Sequence, residues 1–187
     1  MVDNSIRIRA LRPSEYLETA KRLYYNLREA DAREADRLGM NNLAYVFASI
    51  CHSKEVYGVW KGHVLLAVTG VSEEFNYPDG DKATCVWCLG TEDLDHHRKD
   101  FVRYAPSILS YFTAKYGRLG NFISKENKAA LLWIRRMGAT IKDPVRIENG
   151  IFLPFMIERS ERLDVWSDRS LDGCHDSDAG KTAEPTV

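Results

Sequence analysis

The chain has 187 residues, 44% of them hydrophobic and 28% charged, with a formal net charge of −1, which suits one soluble globular domain with a sizeable core. No apolar run approaches the roughly 18 residues of a membrane span, and the opening "MVDNSIRIRALRPSEY" has no apolar signal-type region, so no membrane partner and no export are expected. Residues 160–187 carry a net charge of −4, leaving +3 on residues 1–159, and so weakly basic a body argues against sequence-specific nucleic-acid binding.

In chain order, "SIRIRAL" alternates apolar and charged residues as a half-buried strand does. "RPSEYLETAKRLYYNLREADAREADRLG" reads as one helical stretch, with Ser14 as N-cap, Leu17, Leu23, Tyr24 and Leu27 as its apolar side and Gly39 as its stop. "NNLAYVFASICHS" is a shorter helix, and "EVYGVWKGHVLLAVTGV" two strands joined at Lys61-Gly62. The turn "NYPDGDK" leads into the strand "ATCVWCLG". In "DLDHHRKDFVRYAPSILSYFTAKYG", Leu94, Phe101, Ala105, Ile108, Leu109 and Phe112 recur at helical spacing, with Pro106 predicting a kink or a split. "RLGNFIS" is a short buried strand, residues 125–137 a helix, and "GATIKDPVRIENGIFLPFMIERS" a closing hairpin around Glu148-Asn149-Gly150. This order predicts an α/β domain over residues 1–159 with a mixed central sheet flanked by helices. From residue 160 on, the composition is too poor in apolar groups to offset ordering entropy, so a disordered acidic tail is expected, with Trp166 the residue able to anchor a segment of it.

Cys51, Cys85, Cys88 and Cys174 raise a metal or redox reading. Cys85 and Cys88 form a CxxC inside a strand, where residues three apart point to opposite faces. No second CxxC or spaced His pair completes a zinc site, so buried free cysteines and no metal are expected. No Ser/His/Asp spacing, HExxH or GxxxxGK[ST] is present, and His52 and His63 are isolated.

The order of elements together with "NKAALLWIRRMGAT" resembles the GCN5-related N-acetyltransferase (GNAT) superfamily over residues 5–158. The family's penultimate helix reads Asn-x-x-Ala, then a tyrosine seven residues after the Asn, then Gly-Phe, and Asn127, Ala130 and Gly138 fall in register. "IRIRALRPSEY" is similar to the family's opening strand and helix. A closer resemblance is to the small internal virion proteins of short-tailed phages, which keep a GNAT-like sequence and help assemble the capsid's internal core. "GVWKGHVLLAVTG", "CVWCLGTEDL", "FVRYAPSILSYFTAKYGRLGNFIS" and "NKAALLWIRRMGATI" follow their order, including the Met137-Gly138-Ala139 step.

The GNAT resemblance implies an acetyl-CoA site, and three features test it. Family members grip the pyrophosphate with Gln/Arg-x-x-Gly-x-Gly/Ala at a helix start; "CLGTEDLDHHRKDFVRY" has one glycine, Gly90, and sets Glu92, Asp93 and Asp95 in that first turn, where carboxylates compete for the same field. His96, His97, Arg98 and Lys99 read as a solvated face. The tyrosine that protonates the thiolate is replaced by Ile134, which carries no proton to give; neighbouring Trp133 is no substitute acid, and nothing places Tyr45, Tyr104, Tyr111 or Tyr116 at a thioester. Glu73 and Glu74, near where a general base could sit, read as soluble loop.

The resemblances therefore imply a phage internal virion or core assembly protein with a GNAT-like fold that has lost acetyl-CoA-dependent catalysis, with no catalytic residue and no cofactor. Asn127 starts and caps a helix. The implied partners are other phage virion or core proteins, in the host bacterial cytoplasm during assembly or in the virion interior; the oligomeric state stays open. The alternative is a divergent acetyl-CoA-dependent N-acetyltransferase that binds the cofactor through Asn127, Leu89, Arg98 and Lys99, in a notch between the strands of residues 85–89 and 121–124. A third reading, a host-directed inhibitor, has only the small size in its favour.

Overall fold

A computed structural model describes residues 5–159; the expected acidic tail, with Trp166 and Cys174, lies outside the described residues. The chain runs through β1 (Ile6–Ala10), α1 (Tyr16–Tyr25), α2 (Glu29–Arg37), α3 (Leu43–Cys51), β2 (Glu55–Lys61), β3 (Val64–Asn76), β4 (Lys82–Gly90), α4 (Asp93–His96), α5 (Arg98–Tyr116), β5 (Leu119–Ser124), α6 (Lys128–Arg136), β6 (Thr140–Ile141), β7 (Val145–Ile147) and β8 (Gly150–Ile157). The strands form one mixed sheet in the order β1-β2-β3-β4-β5-β8-β6, with β7 also on β8. Among the described strands, only β4 and β5 pair in parallel.

Sheet alternation divides the core between two faces. On one, Ala20, Leu23 and Leu27 of the α1 region and Val46 and Ile50 of α3 pack on Val56, Leu65 and Val68. On the other, Leu109 and Phe112 of α5 and Leu131 and Ile134 of α6 cover Val71, Val86, Leu119, Ile123, Phe155 and Ile157. Leu23, Phe112 and Ile157 are fully buried, each worth roughly 1.5–3 kcal/mol of transfer free energy.

Several expected boundaries move. The long first helix is two helices: Leu27 breaks away to form an antiparallel bridge with Thr91, and the Arg28 amide donates to the Gly90 carbonyl (2.9 Å). Ser14 makes no cap there; it lies in a 3-10 turn, Pro13–Glu15, whose Glu15 carboxylate takes the Arg12 amide (2.9 Å). The split in the second long helix falls at His97, while α5 runs unbroken through the fully buried Pro106. The cysteines are free but not buried: Cys51 and Cys88 are exposed and Cys85 half-exposed. Asn42 caps α3 through the Tyr45 amide (3.0 Å), and Gly39, at φ +66°, ends the α2 region as its sequence position suggests.

The outer edge of β8 shows why β6 and β7 are separate. The Pro154 carbonyl accepts from the Lys142 amide on that side (2.9 Å), so the N–H that proline lacks would have pointed there too. The edge partner is interrupted at that point, between Ile141 and Val145. Across the sheet, the Tyr77 phenol donates to the Phe155 carbonyl directly over Gly120, where any Cβ would collide with the phenol oxygen.

One carboxylate ties β2 to the end of α5. Glu55 accepts from Tyr57 (2.8 Å), Tyr111 (2.9 Å) and Tyr116 and pairs with Lys115. Burial alone would raise its pKa, but Lys115 and the three phenols outweigh that and bring it down to about 2 from the usual 4.5.

Two outcomes follow. Gly120→Ala forces the Tyr77 phenol off Phe155 and costs roughly 1–3 kcal/mol, read as a lower urea midpoint. Because the folded pKa of Glu55 lies below its unfolded value, its contribution is complete above pH 4.5 and is lost as pH falls toward about 2. Acid unfolding of Glu55→Gln is accordingly shallower over that window, measured by circular dichroism.

Candidate functional site: the splay between β4 and β5

β4 and β5 pair at Thr84–Leu119 and Cys85–Gly120 and then part. Parting exposes backbone donors and acceptors that need partners, and the chain supplies partners for the Val86 carbonyl and for Gly90. Asn121 on β5 donates from Nδ2 to the Val86 carbonyl (2.8 Å) and accepts the Phe122 amide on its Oδ1 (2.8 Å). At the end of β4, the Gly90 amide donates to Asp31 Oδ2 (2.8 Å) while its carbonyl takes the Arg28 amide. Thr91 is held by its hydroxyl on the Leu65 carbonyl (2.7 Å) and its amide on that of Leu66 (2.9 Å).

These bonds bring α2 to the mouth of the splay. Its sequence, "EADAREADR", is polar on nearly every side and buries only Asp31, so apolar packing cannot hold it. Charge-assisted bonds do. Asp31 accepts from Arg28 (2.6 Å) as well as from Gly90. Glu34 accepts from Asn127 Nδ2 (2.9 Å), and Arg37 reaches Ser124 Oγ (3.2 Å) and Glu126. Burial raises the pKa of the Glu34 carboxyl, against the lowering pull of Asn127 and the Ser124 backbone.

Asn127 therefore works at both ends: its Oδ1 caps α6 through the Ala130 amide (3.2 Å), as its sequence position suggests, and its amide nitrogen holds Glu34. The other three residues predicted for a cofactor do not gather round it. Leu89 packs with the α1–α3 cluster. Arg98 is exposed and pairs with Asp95 (2.9 Å), and Lys99 is exposed beside it. Glu73 and Glu74 belong to β3 rather than to a loop, are exposed, and pair with Lys54 (3.0 Å) and Lys82 (3.7 Å). Ile134 is buried in the α5–α6 core. Tyr111 and Tyr116 are committed to Glu55. Among the described residues no three His, Cys, Asp or Glu side chains come together as a metal site, and no helix is long and apolar enough to cross a membrane.

Arg28, Asp31 and Glu34 were missed by sequence reasoning, because "READAREADR" carries no signal distinguishing them from a solvated helix face. Cys88 is expected from the sequence to be a buried free cysteine. It keeps exposed surface although protein surrounds its thiol closely enough to push the pKa up to about 12, with Asp31 adding to the burial. Strand alternation puts it on the same face as Val86, the α5–α6 side.

Acetyl-CoA, the cofactor that the resemblance implies, is tested by what these groups have left to offer. The Gly90 amide and carbonyl and the Val86 carbonyl are already bonded within the chain. Arg28 and Arg98 are engaged by Asp31 and Asp95, while Glu92 and Asp93 add exposed negative charge beside the end of β4, which opposes a pyrophosphate. This arrangement does not fit the group.

Asp31→Ala leaves the Gly90 amide unpaired and Arg28, only 15% exposed, without its close partner. The expected cost is roughly 3 kcal/mol. Hydrogen exchange then accelerates in α2 while α5 and α6 keep their protection.

The sequence matches no protein-family model and no curated protein. Solved structures do match. An N-acetyltransferase from Staphylococcus aureus Mu50 is similar at 12% identity and a TM-score of 0.59, over 82% of this chain and 97% of that one. A spermidine N-acetyltransferase from Vibrio cholerae, solved in complex with CoA and spermine, is similar at 12% identity and a TM-score of 0.59, over 85% and 98%. The smu.2055 protein from Streptococcus mutans UA159 reaches a TM-score of 0.61 at 11% identity, over 81% and 98%. At such identities the likeness is one of fold: this chain has the GNAT-like α/β fold.

Proposed function

We propose that this protein acts by binding rather than by acetyl transfer, as an assembly component of the internal virion core of a short-tailed phage. The observation that carries the first part is the commitment of the splay to the chain's own α2, through Asp31 on Gly90 and Glu34 on Asn127. The second part is supported by the order of sequence segments from "GVWKGHVLLAVTG" to the Met137-Gly138-Ala139 step. In this reading its partners are other virion or core proteins, met in the host bacterial cytoplasm during assembly or inside the virion. Exposed Tyr25 and Tyr45 on α1 and α3 and Leu132 on α6 are the kind of side chain that interfaces use.

The alternative, a divergent acetyl-CoA-dependent N-acetyltransferase, is favoured by one arrangement. Glu34 has a raised pKa where it accepts from Asn127 at the mouth of the splay. A carboxylate so perturbed suits a general base.

Calorimetric titration with acetyl-CoA, and with CoA as a second ligand, separates the two. The binding-protein reading expects no heat at roughly millimolar ligand, and co-sedimentation of the folded chain with the phage's other core proteins. Affinity near micromolar, about −8 kcal/mol, would overturn the binding-protein reading and favour the acetyltransferase instead.

A further inference from the structure

Going beyond that reading, we propose that the cavity between the end of α2, the β5–α6 connection and the β7–β8 hairpin is a binding site for a small organic phosphate. The cavity measures about 210 Å³, and Arg37, Lys125, Glu126, Arg146, Asn149 and Gly150 line it. Three of these are cationic and one is anionic. The single carboxylate is taken: Glu126 pairs with Arg37, whose other terminal nitrogen bonds Ser124. Lys125 and Arg146 are both exposed, and neither forms an ion pair with another described residue.

Lys125 and Arg146, without an ion-pair partner among the described residues, both line this hollow, where like charges repel each other until an anion bridges them. A guanidinium offers a planar pair of donors and an ammonium a point charge with three. Together they match a phosphoryl group, whose several oxygens can be shared between the two. The volume exceeds what one phosphoryl group needs, and Ile151 adds an apolar wall, so an organic body has room.

The cavity is built into the fold on one side. A Cβ at Gly150 would lie 2.7 Å from the Phe152 ring and 3.0 Å from Arg37 Cδ, and the Asn149 amide donates to the Arg37 carbonyl (3.3 Å). The hairpin thus grips the stem of Arg37 and fixes the wall that carries the Arg37–Glu126 pair. A second, larger cavity near Pro78, Lys142 and Pro154 lacks this character, because Asp79 and Asp81 neutralise its Lys142.

The test is calorimetric titration of the full chain with glycerol phosphate at low ionic strength, with succinate as the dicarboxylate control. Glycerol phosphate should bind, added salt should weaken it, and the double variant Lys125→Gln/Arg146→Gln should lose about tenfold or more in affinity. Both side chains are exposed and hydrogen-bond no described residue, so the variant's thermal melt should match that of the parent. Absence of glycerol phosphate binding, undiminished affinity in the double variant, or equally tight succinate binding would each overturn the proposal. Acetyl-CoA bound at the splay would survive this double variant, so loss of the phosphate site leaves the assembly reading untouched.

Discussion

Two parallel strands that stay together for two residues and then part leave backbone N–H and C=O groups facing a gap, and unsatisfied groups there cost free energy comparable to lost hydrogen bonds. Much of this fold is organised around that gap between β4 and β5. Asn121 closes it near the point of parting, at Val86. Arg28 and Asp31 close the far end, at Gly90. Asn127 and Ser124 tie the β5 side to α2. The two helical layers provide apolar burial on either face, but the polar closures decide how the layers meet at the split.

The helix that makes most of these closures has almost no apolar side. α2 docks through Asp31, Glu34 and Arg37, so its position depends on charge and on the geometry of the groups it meets. Such an arrangement is specific, because a helix held by apolar contact can slide, whereas a carboxylate seated on one backbone amide cannot without losing its bond. The same logic governs Glu55, where three phenols and a lysine converge on one carboxylate at the other side of the sheet.

The fold itself is compatible with very different uses, since function lives in the site placed on it. The solved structures that share this architecture include acetyltransferases, and at this chain's splay the Val86 carbonyl and the Gly90 amide and carbonyl are spent internally. The mouth of the splay and the cationic hollow beside it share Arg37 and the Ser124–Glu126 connection.

The alternation in "SIRIRAL", the hairpin signals at Lys61-Gly62 and Asn149-Gly150, the helical spacing from Leu94 to Phe112 and the cap at Asn127 were legible because each follows from local geometry. Side-chain period, turn conformation and orphan amides at a helix start are properties of a few consecutive residues. The mixed sheet followed from their order. What the sequence could not determine is how residues far apart share a polar group. The break after Tyr25 is invisible locally, since its cause is pairing with Thr91, and Asp31 and Glu34 look like any solvated carboxylates until β4 and α6 come to meet them. Nor does the sequence bring Arg37, Lys125 and Arg146 around one hollow. Local periodicity determined the elements, and the tertiary structure alone decided the site, because hydrogen bonds and charges act through space between groups that the chain keeps far apart.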